Sequence, residues 1–217
     1  MTPRALPWPA GLLAGSLIAC GALAERADPG TDAPEGPRPR LEQLAEAPSY
    51  DAALKAWRDP EEVNAWIGAK FSYDTARALR LSETQRTGSG SIPILEPAQL
   101  FAAPSGMCVD LARFGVETLR EIAPALEAKY LMIEFAPARI AGHTLRRHWI
   151  ATYTRGGERY FFADSKRPGL VSGPYASTRA FIEEYARYRG REIVAFRELD
   201  SYRKEQRTRA AKQQRAG

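Results

Sequence analysis

Apolar residues recur at helical spacing in the first part of the chain and alternate with polar ones in the second. Leu111, Ala112, Gly115, Val116 and Leu119 mark one face of a helix. Ser105-Gly106-Met107 is a small-residue turn leading into it and sets Cys108 in its first turn. Asp59-Pro60-Glu61-Glu62 is a helix start, with Asp as N-cap, Pro at the first helical position and Glu at the third. That helix runs through Val63, Trp66 and Ile67 to Lys70, and a further one is predicted over 75–81. Alternation then predicts strands over 129–135, 147–154 and 159–163, the last two joined at Gly156-Gly157. Phe181, Tyr185 and Tyr188 return to helical spacing behind a Ser177 or Thr178 cap, and 192–196 reads as a final strand. A helix carrying a cysteine, packed on an antiparallel sheet, makes the expected class α+β. Trp57, Trp66, Phe71, Tyr73, Phe161 and Phe162 are assigned to the core. Residues 82–98 and 137–146 are read as loops, the tip at 87–91 being exposed, and no internal repeat is present.

The two ends of the chain differ from this body. Residues 1–24 have the form of a targeting segment: Arg4 is the only charge, and an apolar run of small residues over 10–24 is too short for a membrane span. Leu17-Ile18-Ala19-Cys20 resembles a bacterial lipobox that would lipidate Cys20, while Ala22-Leu23-Ala24 offers an ordinary cleavage site. Residues 25–40, rich in Pro, Gly and charge, read as a disordered tether, 41–200 as the folded domain, and 201–217 as a basic tail. The tail holds six basic residues against one acid, so it carries the whole net charge of +5. The body then shows no electrostatic footprint for nucleic acid. The tail is a solvated face or a membrane-surface contact beside a lipid anchor. The expected location is the periplasm or cell envelope, lipid-anchored or secreted.

Location changes the meaning of the cysteines. The chain has two, and Cys20 would be lipidated or removed, which leaves Cys108 without an intramolecular disulfide partner in an oxidising compartment. The same count excludes a cysteine-based zinc site. A helix N-terminus favours thiolate over thiol, and the thiolate is the nucleophile. Such a nucleophile needs a base and a group that orients the base. The histidines are His143 and His148. His148 lies on a predicted strand, and Asp164 closes the strand paired with it, which puts an acceptor within reach of the imidazole N–H. His143, in Ala-Gly-His-Thr, is a surface histidine or the alternative base. Asp110 complements the helix N-terminus, and Lys166 and Arg167 are a solvated basic turn or a reader of an anionic group.

Gly106-Met107-Cys108-Val109-Asp110-Leu111-Ala112, His148-Trp149 and Tyr160-Phe161-Phe162-Ala163-Asp164 together resemble the transglutaminase-like superfamily, with its papain-like Cys-His-Asp core. Upstream, Trp66-Ile67 and Phe71-Ser72-Tyr73 are similar to the helix and the aromatic-x-Tyr segment that precede the cysteine in that group. The resemblance covers residues 55–170, and exported bacterial transglutaminase-like cysteine proteinases look nearest. In this chain His148 and Trp149 are adjacent, where the family often has a residue between them. The resemblance implies a catalytic triad of Cys108, His148 and Asp164, attack on an amide carbonyl, and a thioester resolved by water or by an amine. It implies the Cys108 backbone N–H as one oxyanion donor, with Gln99 as a second donor or a solvated loop residue. It implies no metal and no organic cofactor, and a peptide or protein substrate in the envelope. The rival expectation is a domain of the same fold that binds an envelope polypeptide without turnover.

Overall fold

The computed structural model describes residues 32–35, 46–87, 92–140 and 142–203. The targeting segment, Cys20 and the tail from residue 204 lie outside these. Helices and one short strand come first: α1 (Tyr50–Ala56), α2 (Pro60–Lys70), β1 (Ser72–Tyr73) and α3 (Thr75–Thr87). Then come α4 (Pro97–Ala102), β2 (Ser105–Gly106) and the long α5 (Cys108–Ile122). The remainder is β3 (Lys129–Ile140), β4 (His143–Arg155), β5 (Glu158–Phe162), β6 (Ser172–Tyr175), α6 (Thr178–Arg189) and β7 (Ile193–Leu199). Strands β3 to β7 form one antiparallel sheet in the order β6-β5-β4-β3-β7, and β1 pairs with β2 in parallel.

Alternation along the strands sorts side chains to two faces. Tyr130, Ala151, Tyr153 and Phe162 join α1, α2, α4 and α5 in one core, through Trp57, Trp66, Leu111, Phe114 and Leu119. Leu131, Ile133, Phe135, Ile150 and Phe161 meet Phe181, Ile182 and Tyr185 of α6 in the other. The sheet is thus sandwiched between layers of helix. Tyr73, assigned to the core, is only half-buried. Gly115 brings α5 against the sheet: a Cβ there would lie 2.9 Å from the Ala163 Cβ and 3.2 Å from the Ala151 Cβ.

Local chemistry accounts for the helix starts. Asp59 Oδ1 accepts from the Glu62 N–H at 2.9 Å, and Ser177 rather than Thr178 is the N-cap of α6, its hydroxyl accepting from the Ala180 N–H at 3.3 Å. Three expectations are corrected. Residues 137–146 are not a loop: β3 and β4 continue as a hairpin, with a register shift between Glu134 and Ala138. The bulge accommodates Pro137, which lacks the N–H a regular ladder needs, and Gly142 turns the chain at φ 83°. Helix α3 continues past residue 81 to Thr87, and α4 begins at Pro97, inside a stretch read as loop. Strand β7 starts at Ile193 and runs on to Leu199.

Candidate active site

Cys108 is the first residue of α5, so its N–H has no acceptor within the helix. Asp110, fully buried, fastens this helix start. Its carboxylate accepts from the Met107 N–H at 2.8 Å and the Leu95 N–H at 2.7 Å, and pairs with Arg77 at 2.5 Å. Arg113, one turn on, pairs with Glu96 and Glu117 and donates to the carbonyls of Ile94 and Leu95. Charge along α5 therefore holds residues 94–96 against the helix. Gln99 belongs to this scaffold: its side-chain oxygen accepts from the Glu96 N–H at 2.9 Å, at the start of α4.

His148 comes from β4 and Asp164 from just past the end of β5. His148 is fully buried, and its Nε2 lies 2.9 Å from Asp164 Oδ1. The turn after β5 is aimed by Ala163, at φ 53° in the left-handed region that a non-glycine residue adopts at a cost. Asp164 also accepts from the Lys166 N–H at 2.9 Å, the Tyr185 hydroxyl at 3.2 Å and Arg167 Nε at 3.2 Å. Burial alone would raise its pKa, but these partners, His148 foremost, hold it well below the usual carboxylate range. The Tyr185 ring stacks on the imidazole at 6.0 Å and 12°. That leaves the Nδ1 edge of the ring, which faces Asp32.

A third carboxylate is present at that edge. Asp32 Oδ2 lies 3.3 Å from His148 Nδ1, off the line of a good hydrogen bond, and Asp32 Oδ1 accepts from Arg189 at 2.7 Å. Cys108 Sγ, a ring nitrogen of His148 and an Asp32 oxygen lie within 4.8 Å of one another, the one such group able to hold a metal among the described residues. Arg189 already balances the Asp32 charge, and Asp164 that of an imidazolium. Burial would make His148 less basic, but Asp32, Tyr185 and Asp164 raise its pKa well above the ordinary value.

Cys108 corrects the expectation of a thiol lowered by its helix N-terminus. Burial pushes it up, Asp32 adds to that, and His148 and the Trp149 backbone N–H offset only part. Beside Asp32, then, the thiol and the imidazole are both pushed above their ordinary pKa values.

Cys108, His148 and Asp164 thus come together from α5, β4 and the end of β5. His143 begins β4, opposite Ile140, and its side chain lies outside the described residues. Lys166 and Arg167 are not a solvated turn. Lys166 is fully buried and pairs with Glu35, and Arg167 lies on Asp164 and over the Tyr188 ring at 4.6 Å. Tyr185, Arg189 and Asp32 were missed. Tyr185 carries the helical spacing of a core residue, Arg189 follows it four residues on, and Asp32 sits in a stretch whose composition reads as a tether. The one signal available was the i, i+4 Tyr-Arg pair, whose side chains meet at 3.2 Å.

No helix among the described residues is long and apolar enough to cross a membrane. Among solved structures, calcium-bound LapG of Legionella pneumophila is similar over 73% of this chain and 78% of that one, at 16% identity and a TM-score of 0.35. No family model matches the sequence, and no curated protein does.

Proposed function

We propose that this chain is a cysteine-dependent hydrolase of peptide or amide bonds, of transglutaminase-like type, that acts on a polypeptide of the cell envelope after export. The observation that carries the reading is the buried group Asp164, His148 and Cys108, with Nε2 2.9 Å from Asp164 and a ring nitrogen within 4.8 Å of the sulfur. When Asp32 leaves, the proton it held on Nδ1 passes to water; the neutral imidazole then takes the thiol proton at Nδ1 and the thiolate attacks the amide carbon. The Cys108 N–H, at the helix start, donates to the oxyanion that forms. The imidazolium then protonates the departing amine, leaving a thioester. Water, deprotonated by His148, attacks that thioester; the carboxylic acid departs and the thiol is restored. Asp164 holds the ring and stabilises its positive charge throughout.

p-Nitrophenyl acetate tests this without knowledge of the natural substrate. The wild-type and Asp32→Asn chains are mixed with it, and p-nitrophenolate release and the acetylated residue are followed. A burst, an acetyl group on Cys108 and its later loss are expected, all absent in Cys108→Ala and much slower in His148→Ala. Release unchanged in Cys108→Ala would overturn the reading. The raised, buried thiol favours a second reading, a polypeptide-binding domain without turnover; it predicts no burst in either chain.

A further inference from the structure

A piece of this chain from far upstream is seated beside Cys108, against Arg189 and Lys166. Asp32 is buried there to 6% exposure, although it lies 76 residues before the cysteine in sequence. Its contacts are not those of a single chance ion pair. One carboxylate oxygen takes Arg189 at 2.7 Å and the other faces His148 at 3.3 Å, while its backbone carbonyl accepts from the Ser165 hydroxyl at 2.8 Å. Three residues on, the Glu35 N–H donates to the Lys166 carbonyl at 3.3 Å, and its carboxylate pairs with the Lys166 ammonium. Side chain and backbone are both read, at two places, in the way an extended peptide is bound.

The protein side of these contacts is built and buried. The Arg189 and Lys166 side chains are both fully buried. Arg189 is held by the Tyr185 hydroxyl at 3.2 Å and lies over the Phe135 ring at 4.9 Å. A buried cation is costly without a counter-charge, so both positions call for an anion whichever chain supplies it.

We propose that the seat of residues 32–35, beside Cys108, is a recognition site for an acidic peptide. One carboxylate sits between Arg189 and His148, a second sits three residues on at Lys166, and residues 32–35 fill the site in cis. Calling the outside ligand a substrate rests on the hydrolase reading; the recognition itself does not. The same contacts make the segment a competitor. A peptide of like charge has to displace Asp32 to reach the sulfur, and Asp32 takes the place of the thiolate as partner of the imidazolium. That assignment agrees with the thiol being driven up while the segment is seated.

Alkylation of Cys108 in the full chain tests this, because it requires access and a thiolate but no acyl transfer. The rate with iodoacetamide is read by mass spectrometry on the Cys108 peptide, in wild type and in Asp32→Asn/Glu35→Gln. Both substitutions lie in the segment, outside the helices and sheet. The double variant is expected to react at least about tenfold faster. Acetyl-Asp-Ala-Pro-Glu-amide, whose only carboxylates are its side chains, is expected to slow it saturably. Acetyl-Asn-Ala-Pro-Gln-amide is expected to have no effect. Equal rates in wild type and variant, no protection by the acidic peptide, or equal protection by both peptides would each overturn the proposal. Protection by the acidic peptide without an acetyl burst would remove the hydrolase reading and leave the recognition standing. A normal burst without protection would do the reverse.

Discussion

At the residue scale, Asp164 governs the site. It receives four donors and tolerates burial as an anion only because of them. Asp164→Asn keeps the shape but can present its amide N–H₂ to Nε2, which favours the wrong tautomer. A loss of acyl transfer on the order of ten-thousand-fold is expected by analogy with other triads. The check is the rate of Cys108 acetylation at saturating p-nitrophenyl acetate, with circular dichroism to show that the fold persists. Cys108, His148 and Asp164 were legible because each sits at a local pattern, a helix start, an alternating strand and a strand end. Arg189 and Tyr185 were not, since their roles depend on α6 lying across the sheet from α5, which no local spacing reveals.

At the scale of elements, the contact of α5 with the sheet sets the distance between Cys108 and His148. Gly115→Ala places a methyl 2.9 Å from the Cβ of Ala163, the residue whose backbone aims Asp164. The helix or the strand end must move, so the variant is expected to lose about 1–3 kcal/mol of stability. It should also lose acyl transfer beyond what that stability loss explains. Urea unfolding together with acetylation at low urea separates the two. By contrast, Asp59→Ala removes only the cap of α2, far from the chemistry in sequence. It should cost about 0.5–2 kcal/mol and leave the acetylation rate of the folded protein unchanged. The cap of α2 was legible in four residues, whereas the β3–β4 extension was hidden by Pro137, whose strand-breaking character the bulge absorbs.

At the scale of the whole molecule, buried charges from opposite ends of the chain tie stability to pH. His148 has a pKa above its ordinary 6.5, so its contribution is complete below that pH and is lost as pH rises through the folded value. Asp164 and Asp32 lie below the ordinary 3.8, so theirs is complete above that pH and is lost as pH falls through their folded values. The melting temperature is therefore expected to be highest between about pH 4 and 6.5 and to decline above it. His148→Gln should abolish the part of the decline that begins at about pH 6.5 and leave only that which the raised Cys108 thiol adds at higher pH; a decline of the same size in that variant would assign it to other groups. This coupling could not be read beforehand, because Asp32 and Arg189 stand 157 residues apart.

The spacing of the site along the chain also orders events in time. Cys108 leaves the ribosome with α5, while His148, Asp164 and Arg189 follow 40, 56 and 81 residues later. Until β4 and β5 pair and α6 lies across them, the sulfur has no base and Asp32 has no seat. A nascent chain therefore carries an ordinary thiol, and the Cys108–His148 pair and the seat for Asp32 come into being in the same closing step.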